Sequence, residues 1–326
     1  MPELKITMLG PSGVGKTSIL TVMYDQFATT IGATNLTLDP DIETVGILQN
    51  CLGDLQSLVK KGNFQAKGGT RGTEEPGTFK FDIGKPGYDP AFKICFQDYP
   101  GGWIESQASD REKKSVLAFI RESDAVVITI DAPALMEPYQ PYAQDNWPGR
   151  WHQEINNPLT ITTLLKNAYR GLKQPRLVIL APVKCEKYIK EGNSAALLNR
   201  VKQGYETLLN FLKAEAELQN VAVVVTPVQT VGTVFFSHVE VKDGKPFFWF
   251  HQTNNPKYNP IDSEQPLRYI LRFLLKKYTE RKGLRSWLGK LFGQDEPFKQ
   301  AVAEIAKGCK NGDGFAVLQG QNLLNR

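Results

Sequence analysis

The stretch GPSGVGKTS, Gly10 to Ser18, constrains this chain more than any other. It follows LKITML (Leu4 to Leu9), which reads as a short buried strand. It precedes Lys16 to Phe27, where Ile19, Leu20, Met23 and Phe27 recur at helical spacing. Gly10, Gly15, Lys16 and Thr17 satisfy G-x-x-x-x-G-K-[ST] in the strand–loop–helix context that gives the motif its weight. Glycines let the backbone curl until successive N–H groups point at one centre, and the helix start adds the positive end of its dipole. Such a loop cradles polyphosphate. Gly10, Pro11, Ser12, Gly13, Val14, Gly15, Lys16, Thr17 and Ser18 are therefore candidate nucleotide-binding residues, with Lys16 on the β and γ phosphates and the Thr17 hydroxyl on Mg²⁺. The loop alone does not choose among guanylate kinases, clamp-loader ATPases and GTPases.

The rest of the chain supplies an α/β frame. DAVVITID (Asp124 to Asp131), PRLVILAPV (Pro175 to Val183) and NVAVVVTPV (Asn220 to Val228) are continuous apolar runs, as central parallel strands require. Helical stretches over 157–171 and 195–218 precede the last two, so crossover units are expected. TFKFDIG (Thr78 to Gly84) and AFKICFQD (Ala91 to Asp98) alternate in polarity across a GKPGYDP turn, which predicts a hairpin. Ser106 to Arg121 reads as helix. Between 39 and 62 the spacing predicts a helical insertion, capped by Asp39 or Asp41, with Ile42, Val45, Leu48, Leu52, Leu55 and Val59 on its apolar face. An inserted hairpin is expected at about 233–251, turning at Asp243–Gly244.

Composition excludes several classes. The 326 residues include only three histidines and four scattered cysteines without a C-x-x-C pair, which argues against a structural zinc site or a disulfide framework. The net charge of +5 is too small to mark a nucleic-acid binder. No apolar run approaches the roughly 20 residues of a membrane span, and none near Met1 reads as a signal peptide, so a cytoplasmic protein is expected.

ICFQDYPGG narrows the choice. Asp98 ends an apolar strand and Gly101 follows three residues on, giving D-x-x-G downstream of the phosphate loop. Asp98 can hold a Mg²⁺-bound water. The Gly101 N–H can meet a γ-phosphate and reorient after hydrolysis. With this motif the chain resembles the Ras-like, translation-factor-related class of P-loop GTPases over roughly Lys5 to Lys277. Within that class it is most similar to the bacterial double-GTPase group of conflict and defence clusters, on GPSGVGKTS, DYPGG, APVKCEKY and SEQPLRYILRFLL. The resemblance implies a three-layer α/β/α G domain over 1–280, with a mostly parallel sheet and one antiparallel edge strand, followed by a C-terminal helical extension over 281–326. It also implies GTP or GDP with Mg²⁺ as ligands. Its partners would be proteins: a GTPase-activating or effector protein, or a second GTPase.

The base pocket departs from the pattern. Where N/T-K-x-D is usual, Val183, Lys184, Cys185 and Glu186 stand. Lys184 can lay its stem over the base, and a carboxylate at Glu186 selects guanine by accepting from N1–H and the 2-amino group. In TPVQT (Thr226 to Thr230), Pro227 has no N–H for guanine O6, which leaves Val228 as the substitute. A switch threonine completing the Mg²⁺ shell and the catalytic set of Lys16, Asp98 and Gly101 is sought among Thr70, Thr73 and Thr78, with Thr73 preferred.

After Gly101 comes Gly102 instead of a water-orienting glutamine. Slow intrinsic hydrolysis is therefore expected, rising with a partner; Arg71 is an internal candidate for the missing cation. A scaffold that holds nucleotide without efficient hydrolysis and an ATP-dependent enzyme remain open alternatives. The helical segment Pro266 to Gly293 sets eight basic residues against Glu280 and ends in the amphipathic GLRSWLGKLFG, which suits peripheral contact with an anionic membrane. No stacking aromatics are interleaved with these charges as single-strand binders require, so no nucleic acid is expected.

Overall fold

The computed structural model describes residues 3–31, 36–65, 75–138, 149–214, 216–280 and 296–324. Four apolar runs become adjacent parallel strands: β1 (Glu3–Leu9), then, further along the chain, the strands Ala125–Asp131, Arg176–Val183 and Val221–Val225. In chain order the elements are β1, α1 (Lys16–Ile31), β2 (Thr37–Pro40), α2 (Ile42–Leu58), β3 (Phe64–Gln65), β4 (Gly77–Gly84) and β5 (Phe92–Asp98). Next come α3 (Asp110–Glu122), β6 (Ala125–Asp131), α4 (Ala132–Met136), α5 (Pro158–Ala168), β7 (Arg176–Val183), α6 (Glu186–Lys190), α7 (Ser194–Gly204) and α8 (Glu206–Ala214). The chain closes with β8 (Val221–Val225), β9 (Val234–Lys242), β10 (Lys245–Gln252), α9 (Gln265–Glu280), α10 (Glu296–Lys307) and β11 (Ala316–Gln319).

The main sheet runs β11-β8-β7-β6-β1-β5-β4-β2. It is mostly parallel. β4 runs antiparallel to β5 with β2 paired outside it, and β11 adds antiparallel to β8 at the far edge. Helices α1, α2, α9 and α10 pack among themselves on one side, and α3, α5 and α8 on the other. All seven residues of β6 and all five of β8 are buried, as strands covered on both faces must be.

Register decides where the site lies. Met8 of β1 stands level with Asp98 of β5, Leu9 level with Ile128 of β6, and Asp131 at the end of β6 level with Val183 at the end of β7. The loops leaving these four strands therefore meet along one carboxyl edge. β1 lies between β5 and β6, so the chain diverges to both sides there and opens the crevice where such sheets bind ligands.

Two helical expectations are corrected. In α2 the buried residues are Thr44, Leu48, Cys51, Leu55 and Leu58, while Ile42 is 93% exposed. The helix is turned because Asp41 caps the Thr44 amide (2.9 Å) and Thr44 Oγ1 accepts from Lys80 N on β4 (3.0 Å), which draws the Thr44 side inward. The helix expected over 195–218 is broken into α7 and α8 at Gly204–Tyr205. β2 and β11 carry too few residues for an alternating pattern to reveal them.

β9 and β10 form a hairpin with Asp243 and Gly244 both at positive φ (51° and 72°), the left-handed pair that a two-residue turn uses. β3 pairs with β10, making a small second sheet in which the Phe64 and Phe250 rings stack at 6.0 Å. The C-terminal segment is helical over α10, packs on α9, and returns to the main sheet through β11. Cys51, Cys95, Cys185 and Cys309 are all free thiols. Among the described residues no helix is long and apolar enough to cross a membrane.

Candidate functional site: the phosphate loop and the strand ends around it

Gly10 to Gly15 leave β1 as a tight coil. Gly13 and Gly15 have φ of 75° and 108°, a region closed to most side chains. Gly10 admits no side chain for another reason: a Cβ there would lie 2.9 Å from Val14 Cγ2 and 3.2 Å from the Thr129 carbonyl. Lys16 opens α1 and is 6% exposed. Its ammonium donates to the carbonyls of Gly10 (3.0 Å) and Pro11 (3.3 Å) and lies 5.6 Å from the centre of the Tyr99 ring. Burial lowers its pKa below that of an ordinary lysine, an effect that the charge of Asp98 opposes.

The Thr17 hydroxyl donates to Asp98 Oδ2 at 2.7 Å, and Asp98 is 1% exposed. A hydroxyl and a carboxylate oxygen in contact beside a helix N-terminus are the hard donors that Mg²⁺ takes. The donor set therefore fits that ion, and the curled amides with Lys16 fit a polyphosphate. Gly101 rests directly on the loop: a Cβ on it would fall 2.1 Å from Ser12 N. Gly101 to Ile104 form a single 3₁₀ turn, with Gly102 half-buried within it. The sequence-based residues Gly10 to Ser18, Asp98 and Gly101 are thus brought together.

The base side is arranged otherwise. Lys184 sits at φ 56°, and its ammonium donates to the Gly13 carbonyl (3.1 Å) and pairs with Asp131 Oδ2 (2.6 Å). Val183 takes the place of a polar residue and packs beneath the loop, 3.4 Å from where a Cβ on Gly15 would be. Glu186 does not stand as a base reader. It is 2% exposed, and its Oε1 accepts from the amides of Val231 (3.1 Å) and Gly232 (3.4 Å). Burial raises its pKa, while those amides act in the opposite direction.

Val228 is corrected as well. Its N–H donates to the Pro182 carbonyl (2.8 Å), because the pairing of β7 with β8 continues through a bridge from Val183 to Val228. Gln229 N is taken by the Ile261 carbonyl (3.1 Å). Thr70, Arg71 and Thr73 lie outside the described residues; Thr78 is an exposed residue of β4.

Sequence reasoning did not single out Asp131, Asn156 and His152, which stand in a row of contacts behind Lys184. Asp131 had a signal, an acidic residue ending a buried central strand. Asn156 and His152 had none: they lie in one turn of π-helix, His152–Asn156, whose spacing no periodicity search anticipates.

No curated protein matches the chain at a significant level. Among solved structures, the S. cerevisiae Ski7 GTPase-like domain bound to GTP is similar at 13% identity and a TM-score of 0.33. That alignment covers 69% of this chain and 43% of the other, so the chain spans less than half the length of that relative. The family model described as Double-GTPase 2 matches residues 5–229, from β1 past the end of β8. With the phosphate loop, Asp98 and Gly101 all inside the matched span, the chain belongs to the Double-GTPase 2 family of GTP-binding, P-loop proteins.

Proposed function

We propose that this protein is a Mg²⁺-dependent switch that binds GTP, hydrolyses it slowly alone, and hydrolyses it faster with a protein partner. The observation that carries the reading is the Thr17–Asp98 contact of 2.7 Å next to the buried ammonium of Lys16. Lys16 now spends its donors on two loop carbonyls, and phosphate oxygens are stronger acceptors for them. Thr17 and Asp98 would hold Mg²⁺, which supplies charge neutralisation for phosphoryl transfer when bound. Gly101, packed on Ser12, has its peptide where a change at the γ-phosphate reaches the turn that follows.

Gly102 supports slow turnover. With no side chain, it leaves the attacking water to be oriented by another group, and a cation supplied by a partner typically accelerates such reactions by roughly 10³–10⁵. The partner would be a GTPase-activating or effector protein, possible forms including a second GTPase in a bacterial conflict system. The reading places the protein in the cytoplasm. Peripheral membrane contact would fall to 281–293. Of the basic residues in α9, Arg268 and Arg272 donate to the carbonyls of Ile305 and Leu324, and Lys277 pairs with Asp124.

The test is single-turnover phosphate release from Mg²⁺·GTP, with and without candidate partners, after identifying the nucleotide that co-purifies. Bound guanine nucleotide, slow release alone and faster release with a partner are expected. Gly102 also favours a second reading, a scaffold that binds nucleotide without hydrolysing it; tight binding with no release under any partner would select that one. Co-purified adenine nucleotide with phosphate transfer to an acceptor would replace both.

A further inference from the structure

Behind the base side of the site, a run of buried polar groups extends away from the phosphate loop. Asp131, 3% exposed, holds Lys184 with Oδ2 (2.6 Å) and caps α4 by accepting from Ala134 N with Oδ1 (2.9 Å). Its own main chain is clasped by one side chain. Asp131 N donates to Asn156 Oδ1 (2.7 Å), and Asn156 Nδ2 donates back to the Asp131 carbonyl (3.1 Å). The second hydrogen on Nδ2 points to His152 Nδ1 (3.1 Å), and His152 Nε2 reaches the Gly204 carbonyl (3.2 Å). Asn156 and His152 are both fully buried.

These contacts allow one arrangement of protons. The Asp131 amide can only donate, so the Asn156 oxygen faces it and Nδ2 faces the imidazole. The Gly204 carbonyl can only accept, so the ring hydrogen sits on Nε2 and Nδ1 is bare. Burial agrees, holding the pKa of His152 down at about 4. The far end is seated as tightly: a Cβ on Gly204 would lie 2.6 Å from His152 Nε2, and Tyr205 packs edge-on against the ring at 5.4 Å. The turn that carries both side chains is a π-helix, ended by Asn157 in the left-handed region at φ 47°. That unusual backbone keeps His152 and Asn156 on one line toward β6.

We propose that Asn156 and His152 are positioning residues for the nucleotide: they fix Asp131, which aims Lys184, which in turn fixes the Gly13 carbonyl and the curl of the phosphate loop. This rests on the reading that the loop holds nucleotide. The effect is expected on the base side of the site, because Thr17 and Asp98 pair with each other at the other end of the loop.

The experiment measures dissociation of fluorescently labelled GDP and GTP from the full chain, for wild type, Asn156→Leu and Gly204→Ala. Asn156→Leu keeps the volume and removes the clasp; Gly204→Ala pushes on His152 from outside. Both should raise the dissociation rate, Asn156→Leu by about tenfold, the size expected when a hydrogen-bonded charge loses its alignment. The acceleration produced by removing Mg²⁺ should stay within about twofold of wild type. A purely structural role would lower the melting temperature and leave dissociation alone, and that result overturns the proposal.

Should Asn156→Leu fail to fold, Gly204→Ala and the wild-type protein decide. The Asn156 side-chain amide resonances should shift on addition of Mg²⁺·GDP, and the His152 nitrogens should report a hydrogen on Nε2; resonances that do not move overturn it. Wild type that takes up no labelled nucleotide would remove the nucleotide reading itself. Wild type that binds, beside variants that release no faster, removes only the brace.

Discussion

The two ends of the site are built on opposite principles. At the phosphate end, Gly13 and Gly15 curl the loop at left-handed φ, the Lys16 ammonium rests on two loop carbonyls beside the Tyr99 ring, and Thr17 meets Asp98. At the base end, donors and acceptors close on each other. Glu186 takes the amides of Val231 and Gly232, Val228 gives its own to Pro182, and Lys184 pairs with Asp131. The phosphate end is poised to exchange weak internal partners for stronger external ones. The base-end groups just named already hold partners within the fold, as burial favours. If nucleotide binds as proposed, affinity should be concentrated on the polyphosphate, while the base-side contacts keep the loops in shape.

The comparison can be broken most sharply at Lys16. Lys16→Ala should weaken Mg²⁺·GTP binding about a thousandfold, roughly 4 kcal/mol, as expected for loss of a buried charged donor; titration calorimetry measures it. A loss below tenfold would shift the weight of binding to the base end. Gly101→Ala is next. Its methyl group meets Ser12 N at 2.1 Å, so strain of about 3 kcal/mol should appear in urea unfolding, together with impaired nucleotide binding.

His152 sharpens the same contrast through pH. Its folded pKa is lowered to about 4, so between pH 6.5 and 4 the unfolded chain binds more protons than the folded one. Stability from this residue is complete above pH 6.5 and falls by about 3 kcal/mol on acidification to pH 4. Glu186, with its pKa raised by burial, acts in the opposite sense. The measurement is therefore the difference between the stability curves of wild type and His152→Gln, which should slope through that window. A flat difference would contradict the buried neutral imidazole.

Glu186→Ala tests the base end directly. It should destabilise the fold by about 2 kcal/mol by stripping the buried Val231 amide and the half-buried Gly232 amide of their acceptor, and leave the ratio of GTP to ATP affinity within about threefold. Collapse of that ratio would restore the carboxylate as a guanine reader. The smallest effect belongs to Ile42→Ser. At 93% exposure it should change stability by less than about 0.5 kcal/mol, whereas Leu48→Ala on the same helix should cost about 3 kcal/mol. Equal losses would return α2 to the orientation its sequence suggests.

Much of this was written locally in the chain. The phosphate loop needs glycines at left-handed φ between a strand and a helix, and those demands act within nine residues, so GPSGVGKTS announces its own geometry. Asp98 and Gly101 follow from a strand end and a turn. The parallel core follows from apolar runs too continuous to face water. What failed was set by distant partners. Nothing local tells that Thr44 would be drawn to Lys80, that Glu186 would find the amides of residues 231 and 232, or that Gly204 would have to make room for His152. A lone acidic residue after a strand serves a base or a loop equally well until the fold decides which donors come near.

By itself, then, the sequence determined the phosphate-binding half, because main-chain conformation there depends on residue types a few positions apart. Only the tertiary structure decided the base-side half, because a buried charge takes whichever partner the packed strands bring within hydrogen-bond reach. The same packing carried the segment after α10 back to the sheet edge as β11, a pairing that a strand of only four residues, Ala316–Gln319, could not announce.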